Sequence, residues 1–115
     1  VLISDSEKNI IYKYSIKLKK IVDIWLKYNS ELGSPDGGFF SDQNFCYFSI
    51  WGESKLVKFD VRGARMNELI LPVNNPTNCK QFGKKIIVTT ALVQDTQIGL
   101  NRSEFDGNLL EVDLF

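Results

Sequence analysis

The chain has 115 residues, 43% of them hydrophobic, enough for one modest core. Its 14 basic residues offset 14 acidic ones, so nothing in the charge balance attracts nucleic acid or an anionic membrane. Histidine is absent, which excludes a Ser-His-Asp triad, a Cys-His pair and any imidazole metal site within the chain.

In chain order, residues 1–4 form a short strand signal that stops at the polar turn 5–9. Residues 10–16 read as a second strand, alternating apolar and polar from Ile11. After a lysine-rich turn, residues 21–26 are β-branched enough for a strand, although a short helix also fits. A loop at 28–34 leads into the tripeptide Pro35-Asp36-Gly37. From there two short strands run to Trp51-Gly52 around the polar turn 41–44. Residues 55–60 alternate again, Arg62-Gly63 marks a turn, and 66–71 make another run. Residues 74–77 read as loop, 78–82 as a weak strand, 86–91 as a strong one and 108–114 as the last. The longest polar segment is 94–106.

Cys46 and Cys79 lie far apart in apolar surroundings and read as buried thiols of a reducing compartment. No apolar run is long enough to span a bilayer and no leader is visible, so the expectation is a cytoplasmic protein without a membrane partner. The start at Val1 points to a trimmed or partial chain.

One pattern recurs. Ile11-Tyr12-Lys13-Tyr14-Ser15, Leu56-Val57-Lys58-Phe59-Asp60 and Leu109-Leu110-Glu111-Val112-Asp113 each run apolar, apolar, charged, apolar, polar. A β-rich run precedes each of them, and the interval of roughly 40–50 residues with about four short strands marks β-propeller blades. The expectation is an all-β chain of about two and a half blades, at approximately 1–34, 35–72 and 73–115. Propellers close with about 4–8 blades. Open sheet edges therefore predict either a longer protein or a homo-oligomer formed through exposed strands.

The order of motifs resembles the C-terminal portion of the senescence-marker/gluconolactonase/regucalcin-like family of six-bladed propellers. The matching elements are Pro35-Asp36-Gly37, Tyr47-Phe48-Ser49 leading into Trp51-Gly52, and Leu56 to Asp60. Leu71-Pro72-Val73, Pro76-Thr77-Asn78-Cys79, Phe82-Gly83, Ile87 to Ala91 and Gly107 to Val112 follow in order. The resemblance implies a metal-dependent lactonase, a carboxylic ester hydrolase acting on sugar lactones. It implies one divalent cation (calcium, zinc, magnesium or manganese) at the propeller axis, held by a glutamate, an asparagine and the aspartate of a Pro-Asp-Gly tripeptide. The last maps onto Asp36. The other two ligands are expected ahead of Val1, so this chain alone is not expected to be active. Two departures from the family pattern are Glu53-Ser54, where glycines are usual, and a loop after Gly83 shortened to Lys84-Lys85.

Asp36 is thus the expected metal ligand. Trp51, at a strand exit, is a candidate substrate contact beside its plainer role as a packing aromatic. Asp5, Asp60 and Asp113 read as strand-end or turn carboxylates, and Asp95, Glu104 and Asp106 as solvated loop carboxylates. Trp25 is expected to face the neighbouring blade. The alternative to an enzyme fragment is a non-catalytic partial propeller that associates through its open faces.

Overall fold

The computed structural model describes residues 1–93 and 103–115. Among the described residues ten strands follow one another in the order β1 (Leu2–Asp5), β2 (Ile10–Ser15), β3 (Lys20–Lys27), β4 (Ser34–Phe40), β5 (Cys46–Trp51), β6 (Lys55–Phe59), β7 (Arg65–Ile70), β8 (Pro76–Phe82), β9 (Lys85–Thr90) and β10 (Leu109–Asp113). They make three antiparallel sheets, β1-β2-β3, β4-β5-β6-β7 and β10-β9-β8. Among the described residues there is no helix, and none long and apolar enough to cross a membrane. The run 21–26, which alone fits helix or strand, is strand. β8 begins at Pro76, two residues into the stretch expected as loop. The segment 94–102, which holds Asp95, lies outside the described residues.

Hairpin turns stitch neighbouring strands together, and four of them use a left-handed residue other than glycine: Asn9, Lys19, Asn44 and Ser54. Asp60 shows how the polar turn residues act. Its Oδ1 accepts the backbone N–H of Arg62 and of Ala64, both at 2.8 Å, and so closes the β6–β7 turn. Asp5 does the same after β1, accepting from Lys8 N at 3.2 Å and pairing with the Lys8 ammonium at 2.9 Å.

The middle sheet is the spine of the molecule. β5 is buried on both faces, which is why its sequence is apolar at every position but Ser49 rather than alternating. Cys46, Phe48 and Ile50 face the first sheet, where they join Ile11, Trp25, Val57 and Phe59 in one core. Tyr47 faces the third sheet and joins Phe39, Leu56, Leu71, Val73, Cys79, Ile86 and Val88 in a second. Trp25 is the hub of the first core. Its ring stands edge-on to Phe59 at 5.8 Å, tilts against Phe48 at 6.1 Å, and its indole N–H donates to Val61 O at 3.0 Å. In the second core Phe39 stacks on Tyr47 with ring centroids 4.9 Å apart. Burying side chains of this size stabilises by roughly 1.5–3 kcal/mol each, so the two cores are what hold the three sheets side by side.

Two carboxylates expected on turns or in solvent do other work. Asp106 accepts the Asn74 backbone N–H and side-chain amide, both at 2.8 Å, tying the segment before β10 to the one before β8. Sequence proximity to polar residues does not reveal this partner, 32 positions away. Asp113 is the last residue of β10, a strand end as expected, but rather than forming a turn it pairs across the ladder with Lys85 at 2.7 Å.

Candidate functional site

β4 and β8 are the innermost strands of their sheets, at the edge with no strand partner, and they pack against each other. The ladder between β4 and β5 is broken at one place. Pro35 pairs with Ile50 and Gly38 with Phe48, so Asp36 and Gly37 together oppose the single residue Ser49. This is a β-bulge, a device that leaves the extra residue unpaired and re-aims a side chain. The bulge is also where the two neighbouring sheets close in. Ser4 Oγ, on β1, donates to the carbonyl of Asp36 at 2.8 Å, and Ser6 Oγ donates to that of Pro35 at 2.9 Å. From the other side Asn78 packs so tightly on Gly37 that a Cβ there would lie 2.7 Å from the Asn78 Cβ. Below the bulge the Ser49 hydroxyl is fully buried, has no conventional hydrogen-bond partner, and lies against the Cys79 thiol.

Asp36 opens onto a cleft of about 640 Å³ that also receives Ser4, Phe40, Phe48, Asn78 and Lys80. Its carboxylate is half-buried and has no hydrogen-bond or ion-pair partner among the described residues. Burial pushes it up from the ordinary carboxylate value. Asn78 and Lys80, two residues apart on β8, share a face by the period of the strand. The cleft therefore carries one free carboxylate, one amide and one ammonium against an apolar wall. Among the described residues no three Asp, Glu, Cys or His side chains come together as a metal cluster. Trp51 ends β5 opposite Ser34 and is partly buried, and the lining of the cleft does not include it. Cys46 lines the cleft and Cys79 lies behind it. Both thiols are free and buried, and burial pushes both up to about 12.

Glu53, the departure at the β5–β6 turn, forms a second polar cluster. It accepts from the Tyr28 hydroxyl at 2.9 Å and from the Ser30 hydroxyl, and pairs with Lys55 at 2.6 Å. Lys55 in turn reaches Glu68 at 3.3 Å, which also pairs with Arg65. The cluster ties the loop before β4 to the turn after β5. Sequence reasoning gave Glu53 no role, because two of its three partners, Tyr28 and Ser30, lie 25 and 23 positions upstream.

The family model described as the SMP-30/gluconolactonase/LRE-like region matches residues 1–92. The chain belongs to this family. Among solved structures, a luciferin-regenerating enzyme is 17% identical with a TM-score of 0.68, over 92% of this chain and 43% of that one. Regucalcin from Agrobacterium tumefaciens, described as a calcium-binding protein, is 15% identical with a TM-score of 0.79, over 96% of this chain and 40% of that one. No curated protein sequence matches significantly. The chain thus spans less than half the length of the solved structures it resembles. Its three sheets are consecutive blades of a six-bladed propeller of the gluconolactonase/regucalcin type, one of four strands flanked by two of three.

Proposed function

We propose that the chain is the C-terminal portion of a divalent-cation-dependent hydrolase of sugar lactones, and that Asp36 supplies one oxygen ligand to the cation. The observation that carries this reading is the partner-free, half-buried Asp36 carboxylate on a bulge of an innermost strand, within a cleft. A carboxylate is a hard oxygen donor and suits calcium, magnesium or manganese, and also zinc. Such sites take about six oxygens for calcium, so the remaining ligands come from elsewhere in the complete protein.

When bound, the cation polarises the lactone carbonyl and lowers the pKa of a water. This chain's own residues hold and orient. Asp36 supplies its oxygen from the lining of the cleft. Asn78 offers an amide to sugar hydroxyls, and Lys80 an ammonium to the carboxylate released when water opens the ring. The apolar wall restricts solvent beside them. The test is a full-length protein containing this chain, assayed on a sugar lactone with Ca²⁺, Zn²⁺, Mg²⁺ and Mn²⁺ in turn, beside its Asp36→Asn variant. Cation-dependent hydrolysis lost in Asp36→Asn is expected. Absence of lactonase and esterase activity with all four cations would refute the reading.

A second reading has its own observation. On the face of the first sheet turned away from β4–β7, Ile3, Tyr12 and Ile24 stand in register, with Ile3 43% and Ile24 42% exposed. A non-catalytic partial propeller would cover that row with a second copy of itself. Sedimentation of the 115-residue chain decides it: a monomer at high concentration removes this alternative.

A further inference from the structure

We infer that Ser4 and Ser6 are positioning residues for Asp36: hydroxyls carried by the first blade hold two consecutive carbonyls of the bulge, and so set where the Asp36 carboxylate points. The functional meaning of this inference rests on the ligand reading above. Its structural content does not.

The argument begins with what the ladder cannot do. A bulge leaves its extra residue without a ladder bond, and β4 has no strand on its other edge. Within the middle sheet the backbone at Asp36 and Gly37 is held through the flanking pairs Pro35–Ile50 and Gly38–Phe48 rather than through pairs of its own. In a regular strand, consecutive carbonyls point to opposite edges. Here the carbonyls of Pro35 and Asp36 both accept hydroxyls from one neighbouring segment, at 2.9 Å and 2.8 Å. Only the irregular backbone of the bulge lets them do so. Ser4 stands on β1 and Ser6 opens the turn that follows it, so one short stretch of the first blade supplies both hydroxyls. Ser4 also lines the cleft itself. On the opposite side Asn78 of the third blade occupies the space a side chain at residue 37 would need. The bulge is gripped from both neighbouring blades.

These two bonds contribute little to holding the fold together. Neither serine belongs to a core, and Ser6 is exposed. Freed carbonyls at the cleft would turn to water, which satisfies them nearly as well. What the hydroxyls supply is direction: without them the backbone that carries the carboxylate is gripped from the third blade alone. A site of this kind tolerates little misplacement.

The test uses the 115-residue chain with no cation, by ¹⁵N and ¹³C NMR. In Ser4→Ala, in Ser6→Ala and in the double variant, the amides of Asp36, Gly37 and Gly38 are expected to shift. Their order parameters should fall from about 0.85 toward 0.6. The amide of Val57, deep in β6, should stay in place, and Ser4→Thr, which keeps a hydroxyl, should restore the bulge signals. Titration of a full-length protein containing this chain with Mn²⁺ alone gives the second readout. Broadening of the Gly37 signal should require about three- to tenfold more Mn²⁺ in the alanine variants, the loss expected for one hydrogen bond. Unchanged bulge shifts and order in the double variant would overturn the inference, as would failure of Ser4→Thr to restore them. Should the double variant not fold, Ser6→Ala, at an exposed position, carries the same test. Asp36→Asn separates the two ideas. It should abolish the Mn²⁺ response while leaving the bulge ordered. A persisting response in that variant removes the ligand assignment and leaves the positioning role intact.

Discussion

Gly37→Ala probes the seam between the second and third blades. Gly37 is not in the left-handed region, so an alanine there is opposed by space alone. The new Cβ would lie 2.7 Å from the Asn78 Cβ and nearer still to its amide group. Carbon atoms rest comfortably at about 3.5–4.0 Å. The Asn78 amide can swing aside only by giving up the 2.8 Å bond from Cys79 N to its Oδ1, and its Cβ cannot swing at all. β8 must therefore move outward by about 1 Å. Overpacking of this kind costs about 1–3 kcal/mol, and at about 2 kcal/mol the melting temperature should fall by roughly 8 °C. The assay is urea unfolding, read as a lower midpoint at unchanged slope. Asn78→Ala removes the amide but not the Cβ, so the double variant should cost about 1 kcal/mol less than the two single costs together. Gly83→Ala is the contrast. Gly83 has φ +59° with nothing within 4 Å, so its cost of about 1–2 kcal/mol is conformational, and Asn78→Ala should not relieve it. Additive behaviour of Gly37→Ala with Asn78→Ala would refute the steric argument.

Glu53 and the cysteines give two further predictions. Burial alone would raise Glu53, but hydrogen bonds from Lys55, Ser30 and Tyr28 outweigh it and hold the carboxyl below its ordinary value. A carboxylate lowered by folding stabilises above its unfolded pKa of about 4.3 and loses that stabilisation as pH falls through the folded value. Glu53→Gln should thus cost about 1–3 kcal/mol in urea unfolding at neutral pH, with a narrower gap at acidic pH, where the carboxylate takes up its proton. An equal gap at both pH values would show that charge is not involved. Both thiols are raised to about 12, so a thiol-reactive dye should find neither cysteine in the native chain and both in denaturant. Rapid native labelling would mean that the cleft exposes Cys46.

Much of the fold was legible because the repeating pattern has a physical cause. Residues such as Leu56, Val57 and Phe59 alternate between two neighbouring blades, and the charged residue among them ends outside both cores. The turns were legible from Asp60 and Gly63 for the same local reason. The 21–26 run was ambiguous because Ile-Val-Asp-Ile-Trp-Leu is apolar at both helical and strand spacing; only pairing with β2 decides it. The candidate site was legible in one residue. Asp36 stands out within Pro-Asp-Gly, but nothing in that tripeptide reveals that two residues oppose one. Its hydroxyl partners are about 30 positions upstream, in a stretch that reads as an ordinary strand end. Glu53 and Asp106 were opaque on similar grounds, since a carboxylate's partners are a matter of tertiary approach.

The two-against-one count at Asp36 also reverses the parity of its strand. Before it, Pro35 shares a face with Ile50, which looks toward the first blade; after it, Phe39 shares a face with Tyr47, which looks toward the third. If the same residues paired without the bulge, Phe39 would fall opposite Cys46 and swing away from its stacking partner. The frame that aims the carboxylate and the frame that seats the aromatic ring are therefore one and the same. A lineage that keeps both this residue count and the stack keeps the geometry around residue 36, whether or not the chemistry there is still in use.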